Sequence, residues 1–144
     1  MTIYAETSAV LRWLFGETGG DDVRVVMAES TKVTSSRLTL IEARRVVRRA
    51  ERDGRFTAAQ GADVLAVFAQ AASTWAVLEV SEQVARRAED VFPHEPVRTL
   101  DALHLASALF LRQSIPDLAI LTADERIRAN ASLLGFRVEA VGAK

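Results

Sequence analysis

The sequence predicts an α/β fold, a sandwich of helices around a mostly parallel central sheet. Three observations predict it. Short apolar runs such as Thr2–Ala5 and Leu118–Leu121 (LAIL) alternate along the chain with longer stretches of helical periodicity. The joints between them carry glycine, proline or capping residues, as strand–helix connections do. No internal repeat, low-complexity tract or linker divides the chain, so residues 1–144 are expected to form one domain, a length at which a single core can close.

Taken in order, Thr2–Ala5 is a short strand, placed so near the terminus that it suits a central strand entered directly. Ser8–Phe15 reads as a helix ending near Gly16, and Asp21–Ala28 as a second, opened by Gly19 and Gly20. Val33–Ser35 is a strand. From Ser36 a helical pattern runs to Asp53 and closes at Gly54, with Leu38, Ile41, Val46 and Val47 on one buried face. Thr57 and Gln60 have capping-box spacing, and the helix they open continues through an alanine-rich stretch to Ser73. Trp75–Val80 is a strand, Ser81–Val91 a helix stopped ahead of Pro93, and Pro93–Pro96 a loop. Val97–Leu111 is helical, Leu118–Leu121 a buried strand, Asp124–Leu134 a helix ending at Gly135, and Phe136–Val141 the last strand.

Composition excludes several classes. With 49% apolar and 26% charged residues the chain is an ordinary globule, not a disordered one. A net charge of −1 exerts no global pull on nucleic acid, so such a partner needs a local patch. Without cysteine there is no disulfide, thiol nucleophile or thiolate metal site, which suits a reducing cytoplasm. MTIYAETSAV has no basic segment leading into an apolar run, and the most apolar stretch, Ala102–Leu111, is too short to span a bilayer. A cytoplasmic protein without a membrane partner is expected.

Four carboxylates stand where such a fold collects function. Glu6 follows the first strand and Asp124 the LAIL strand, at the carboxyl ends where open parallel sheets place their sites. Glu42 and Asp101 lie near the starts of helices. Acids converging without matching basic residues repel one another, and a bound Mg²⁺ or Mn²⁺ resolves the repulsion. All-oxygen ligands favour such hard cations over zinc. Each acid also has a structural explanation. Glu42 has capping-box spacing to Thr39, as Glu125 has to Thr122; Asp101 complements a helix dipole, Asp124 is a plain N-cap, and Glu6 is solvated. Spacing alone leaves both explanations open.

The surrounding residues resemble those of a known family. Ile3-Tyr4-Ala5-Glu6-Thr7-Ser8-Ala9, Thr34 to Glu42 (TSSRLTLIE), Leu100 to Ala106 (LDALHLA) and Leu121 to Arg126 (LTADER), with Ala129 and Gly135 beyond, are similar in order and spacing to the four acidic motifs of PIN-domain proteins. The last two blocks are the more specific, and the resemblance covers essentially the whole chain. It implies a PIN-like α/β/α sandwich and a metal-dependent ribonuclease of the VapC type, the toxin of a VapBC toxin–antitoxin pair. It also implies Mg²⁺ or Mn²⁺ held by Glu6, Asp101 and Asp124, Glu42 as a further catalytic acid, an RNA substrate, a small antitoxin partner and a homodimer. The family normally has aspartate where this chain has Glu6, one methylene longer. That departure keeps open an alternative, a catalytically impaired PIN-like domain that binds RNA or protein.

Other features have two explanations each. His104, at i+3 from Asp101, is read as a packing or hydrogen-bonding residue and His94 as incidental. Ser8 and Thr122 either orient carboxylates or cap helices. Sixteen of the 18 basic residues are arginine, by codon bias or because guanidinium forks suit phosphate. Arg44, Arg48 and Arg52 form one row at i, i+4 and i+8, with Arg45 and Arg49 beside it. These rows are either a solvated face or a lead for a phosphate backbone toward Glu42. The alanine-rich stretch from Thr57 to Ser73 is either core or a partner surface.

Overall fold

The structure, a computed structural model, describes residues 1–141. Its elements run β1 (Thr2–Ala5), α1 (Thr7–Leu14), α2 (Gly20–Glu29), β2 (Lys32–Ser36), α3 (Arg37–Arg52), α4 (Ala58–Ala72), β3 (Ala76–Leu78), α5 (Glu82–Glu89), α6 (Thr99–Arg112), β4 (Ala119–Thr122), α7 (Glu125–Leu133) and β5 (Arg137–Ala140). The strands form one sheet in the order β3-β2-β1-β4-β5, and every neighbouring pair is parallel. The sheet expected to be mostly parallel is therefore wholly so, and β1 is its central strand.

Alternation along the strands builds the three layers. Ile3 and Ala5 of β1, with Ala119 and Leu121 of β4, face the core that includes Ala9 and Val10 of α1, Val23 of α2, Leu40 and Ala43 of α3 and Phe68 of α4. Tyr4 and Ile120 point the other way, into a core with Ala102, Leu105 and Ala108 of α6 and Ile127 and Ala131 of α7. Strands covered on both faces carry apolar residues throughout, which is why LAIL shows no alternation. Among the described residues no helix is long and apolar enough to cross a membrane.

Several local expectations fail for identifiable reasons. The buried face of α3 is Thr39, Leu40, Ala43, Val47 and Ala50, while Ile41 is 49% exposed. Alanine and threonine supply three of these five positions, and of the four residues expected on the face only Val47 is fully buried. Ser36, not Thr39, caps α3, which leaves Glu42 in the second turn with no capping role. Likewise Thr122 belongs to β4 and Asp124 caps α7, so Thr122 and Glu125 form no capping box. Of the three expected boxes Thr57–Gln60 forms, with bonds of 2.8 and 3.1 Å.

Close helix contact makes one glycine indispensable. A Cβ at Gly20 would overlap the backbone carbonyl of Arg12, and backbone cannot swing aside as a side chain can. Gly20→Ala should therefore force α1 and α2 apart and lower stability by about 1–3 kcal/mol. A urea midpoint equal to the parent's would show that the helix pair accommodates the methyl group.

Candidate active site

The carboxyl ends of β1 and β4 lie side by side because the strands are paired, Ala5 against Leu121. The backbone N–H of Glu6 then donates to the carbonyl of Leu121 at 3.0 Å, tying the start of α1 to β4. Glu6 thus leaves the sheet beside Thr122, and Asp124 follows two residues later.

Glu6 is not solvated: it is 4% exposed and also caps α1. Its carboxylate accepts from the Ser8 N–H at 3.1 Å, from the Ser8 hydroxyl, and from the Thr122 hydroxyl at 2.7 Å. Burial raises its pKa above the usual carboxylate value, against the lowering effect of His104 and these donors. Ser8 and Thr122 therefore orient a carboxylate and cap no helix, the N-caps of α1 and α7 being Glu6 and Asp124. Each binds Glu6, and Thr122 also accepts from the Asp124 N–H while Ser8 accepts from that of Ala123.

Asp101 sits in the first turn of α6 and is 8% exposed. Burial raises its pKa and the charge of Asp124 raises it further, with Arg98, 3.5 Å away, acting in the opposite direction. Asp124 is the N-cap of α7, and one of its oxygens accepts from the N–H groups of Arg126 and Ile127 at 2.9 and 3.0 Å. Capping occupies Oδ1 only, so the cap and the functional role are compatible. Asp101 and Asp124 are thus two neighbouring carboxylates without enough positive charge between them.

Glu42 has a different environment. It accepts from the Thr7 hydroxyl at 2.6 Å and from Nε2 of His104 at 2.7 Å. His104 is 1% exposed, and its Nδ1 lies 2.8 Å from the hydroxyl of Tyr4. Burial alone would lower the pKa of His104. The bond to Glu42 and the charges of Glu6, Glu42 and Asp101 outweigh it, so the pKa is raised. Burial would likewise raise Glu42, but the bonds from His104 and Thr7 hold it below the usual range. His104 is thus held among acids that favour its protonated form, and it links β1, α1, α3 and α6. The spacing from Asp101 gave no hint of this network, whose members lie up to 100 residues apart. Thr7 was visible only as part of the Glu-Thr-Ser block.

Glu42, Arg98, Thr99, Leu100 and Asp101 line an open cleft of about 380 Å³. Among the described residues no three acidic, histidine or cysteine side chains stand close enough to hold a metal ion as placed. Glu6 is turned to Ser8 and Thr122, and Glu42 to His104. The donor set itself suits a hard cation: Oδ2 of Asp124 and Oδ1 of Asp101 have no hydrogen-bond donor among the described residues. Mg²⁺ commonly takes one or two carboxylates and keeps several waters.

Residues 3–133 match the model of the PIN domain family. The chain is 28% identical to a Mycobacterium tuberculosis protein named Ribonuclease VapC35, over 97% of both chains. Among solved structures it is similar to VapBC2 from Rickettsia felis bound to a DNA fragment of its promoter, with a TM-score of 0.68, 11% identity and 99% and 100% of the two chains covered. It is also similar to M. tuberculosis VapC20, described as a sarcin–ricin loop cleaving toxin, with a TM-score of 0.64, 16% identity and 93% and 95% coverage. At these identities the structural likeness concerns the fold, including its parallel sheet flanked by helices.

Proposed function

This chain belongs to the PIN-domain family, and on that premise we propose that it is the ribonuclease toxin of a VapBC pair, one domain over residues 1–144. The reaction is hydrolysis of RNA phosphodiesters. The observation that supports this reading is the pairing of β1 with β4, which sets Glu6 beside Thr122, two residues before Asp124, and the nearness of Asp101, whose pKa the charge of Asp124 raises. The name of the mycobacterial relative supports the same activity.

Glu6, Asp101 and Asp124 would hold a divalent cation, Mg²⁺ or Mn²⁺. When bound, the ion supplies an activated water and neutralises charge on the phosphate. The chain's own residues do the rest. Ser8 and Thr122 orient the Glu6 carboxylate, while Thr7 and His104 keep Glu42 ionised at the cleft. Arg98 stands beside Asp101 at the cleft mouth, where an incoming phosphate meets a guanidinium. We further propose a small antitoxin as partner, a homodimer and a cytoplasmic site of action. The outward side of α4 suits the antitoxin. Of its residues only Gly61 and Phe68 are buried, and Val64 and Val67 with Trp13 and Leu14 line an apolar recess of about 170 Å³.

The test is cleavage itself. Purified chain freed of any partner should cut RNA with Mn²⁺ or Mg²⁺, stop on addition of EDTA, and lose activity in Asp124→Ala. Cleavage that persists in EDTA or in the variant would refute the assignment. Glu6 favours a second reading, an impaired PIN-like binding module, because its longer carboxylate is folded onto Ser8 and Thr122. RNA bound but never cut, with cutting restored by Glu6→Asp, would establish that reading.

A further inference from the structure

Helix α3 carries five arginines, and the structure separates them. Arg44 is exposed and lies over Phe68, its guanidinium 5.7 Å from the ring centre. Arg45, Arg48, Arg49 and Arg52 line a shallow recess of about 190 Å³ to which Arg44 does not contribute. The row seen in the sequence, Arg44 with Arg48 and Arg52, is therefore not the row that forms.

Two of these four are already engaged. Arg48 pairs with Glu51 at 3.3 Å and Arg52 with Asp53 at 3.2 Å. Among the described residues Arg45 and Arg49 have no carboxylate partner. In a chain whose net charge is −1, such a cluster is a local field opposite in sign to the whole.

Its position relative to the cleft gives it meaning. Residues at i, i+3 and i+7 share a helix face, so Arg45 and Arg49 continue the side of α3 on which Glu42 stands. At about 1.5 Å of rise per residue they lie roughly 4.5 and 10 Å beyond Glu42 along the axis. Glu42 itself lines the acid cleft. A strand leaving that cleft over α3 meets first one unpaired guanidinium and then a second. Each offers the planar fork that binds phosphate through two bonds.

We propose that Arg45 and Arg49 are the phosphate-binding positions for the RNA backbone on the Glu42 side of the cleft. This rests on the ribonuclease reading for its substrate, but its test does not need catalysis. A labelled single-stranded RNA is titrated in EDTA by fluorescence anisotropy over a salt series. Each lost phosphate contact on single strands should remove about 0.7 from the slope of log affinity against log salt. Arg45→Ala/Arg49→Ala should thus flatten the slope by about 1.4, and Arg44→Ala should leave it unchanged. Arg45→Lys/Arg49→Lys, which keeps the charges, should retain most of the slope. In the presence of Mn²⁺ the double alanine variant should raise KM with kcat kept.

A parent-like slope and KM in the double alanine variant would overturn the proposal. So would unchanged RNA affinity with weakened binding of an oligoglutamate peptide, which would assign the patch to an acidic protein partner. If the flattened slope is found while the parent cuts no RNA, the phosphate positions stand and the ribonuclease reading falls.

Discussion

Asp101→Asn is expected to raise the melting temperature of the metal-free protein, to reduce its stabilisation by Mg²⁺ or Mn²⁺, and to lower RNA cleavage steeply. The first effect follows from the raised pKa of Asp101. A carboxyl whose folded pKa lies above its unfolded value favours the fold when protonated. Stability is therefore lost as pH rises from the unfolded pKa through the folded one, and the ionised form opposes folding at neutral pH. Asparagine keeps the shape without the charge. Two terms work against this gain. The helix dipole favours the ionised acid by about 0.3–1 kcal/mol. The Arg98 contact, on a guanidinium side chain 73% exposed, is worth at most about 1 kcal/mol. The raised pKa reflects burial and Asp124 outweighing Arg98 and His104, and the expected gain is what remains after the dipole.

The second effect is mass action. A ligand at about 100 times its dissociation constant stabilises by roughly 2.7 kcal/mol, and a weakened site gives less. Loss of an outer group at a metal site costs about 10–100-fold, so removing a ligand charge should reduce cleavage by at least that. Melting curves of both proteins, each with EDTA and with Mg²⁺, carry the measurement. A destabilised variant with the parent's response to Mg²⁺ would reduce Asp101 to a dipole-complementing residue.

His104→Leu is expected to destabilise the metal-free protein and to remove most of its pH dependence on the alkaline side. Breaking a buried charge pair from one side costs about 3–5 kcal/mol. The lower end is expected here, because the side chain of Glu42 is 24% exposed and can reach water. The folded pKa of His104 is raised, so the stability it contributes is fully present below its unfolded value of about 6.5. That contribution is lost as pH rises through the folded value. Glu42, lowered, contributes fully above about 4.5 and loses its share as pH falls through its folded value. The pair is thus most stabilising between these limits. The groups facing His104 are Tyr4, Thr7, Glu42 and, by charge, Glu6 and Asp101. Burial raises Tyr4 well above 10, so it stays a neutral phenol throughout the range. In EDTA the parent's melting temperature should fall as pH rises above about 6.5 and the variant's should stay nearly level there. Parallel curves would remove the charge from His104.

Much of the fold was legible in the sequence because its strongest local signals are also its tertiary ones. Thr2–Ala5 was read to the residue, and the glycine and capping positions at Ser36, Thr57, Ser81 and Gly135 place most helix ends within two residues. The strand read over Trp75–Val80 shortens to Ala76–Leu78, an edge strand whose length is set by its one neighbour, β2. Phase failed on α3, where small side chains carry the buried face and Ile41 is left outside. Capping boxes failed at Thr39 and Thr122, because the same four-residue spacing occurs inside a helix and across a strand end.

Within the candidate site, the sequence by itself determined which acids follow strands: Glu6 and Asp124 needed only the ends of β1 and β4. It also determined the donor chemistry, since a chain without cysteine and with two separated histidines leaves oxygen ligands. Only the tertiary structure decided how the acids divide. Asp101 feels the charge of Asp124 against the opposing Arg98, Glu6 is held by Ser8 and Thr122, and Glu42 is bound to His104. The physical reason is that a charge is set by what surrounds it in space. Tyr4, Thr7, Glu42 and His104 lie on four elements that only the parallel order of the sheet brings together, and no spacing along the chain records their meeting.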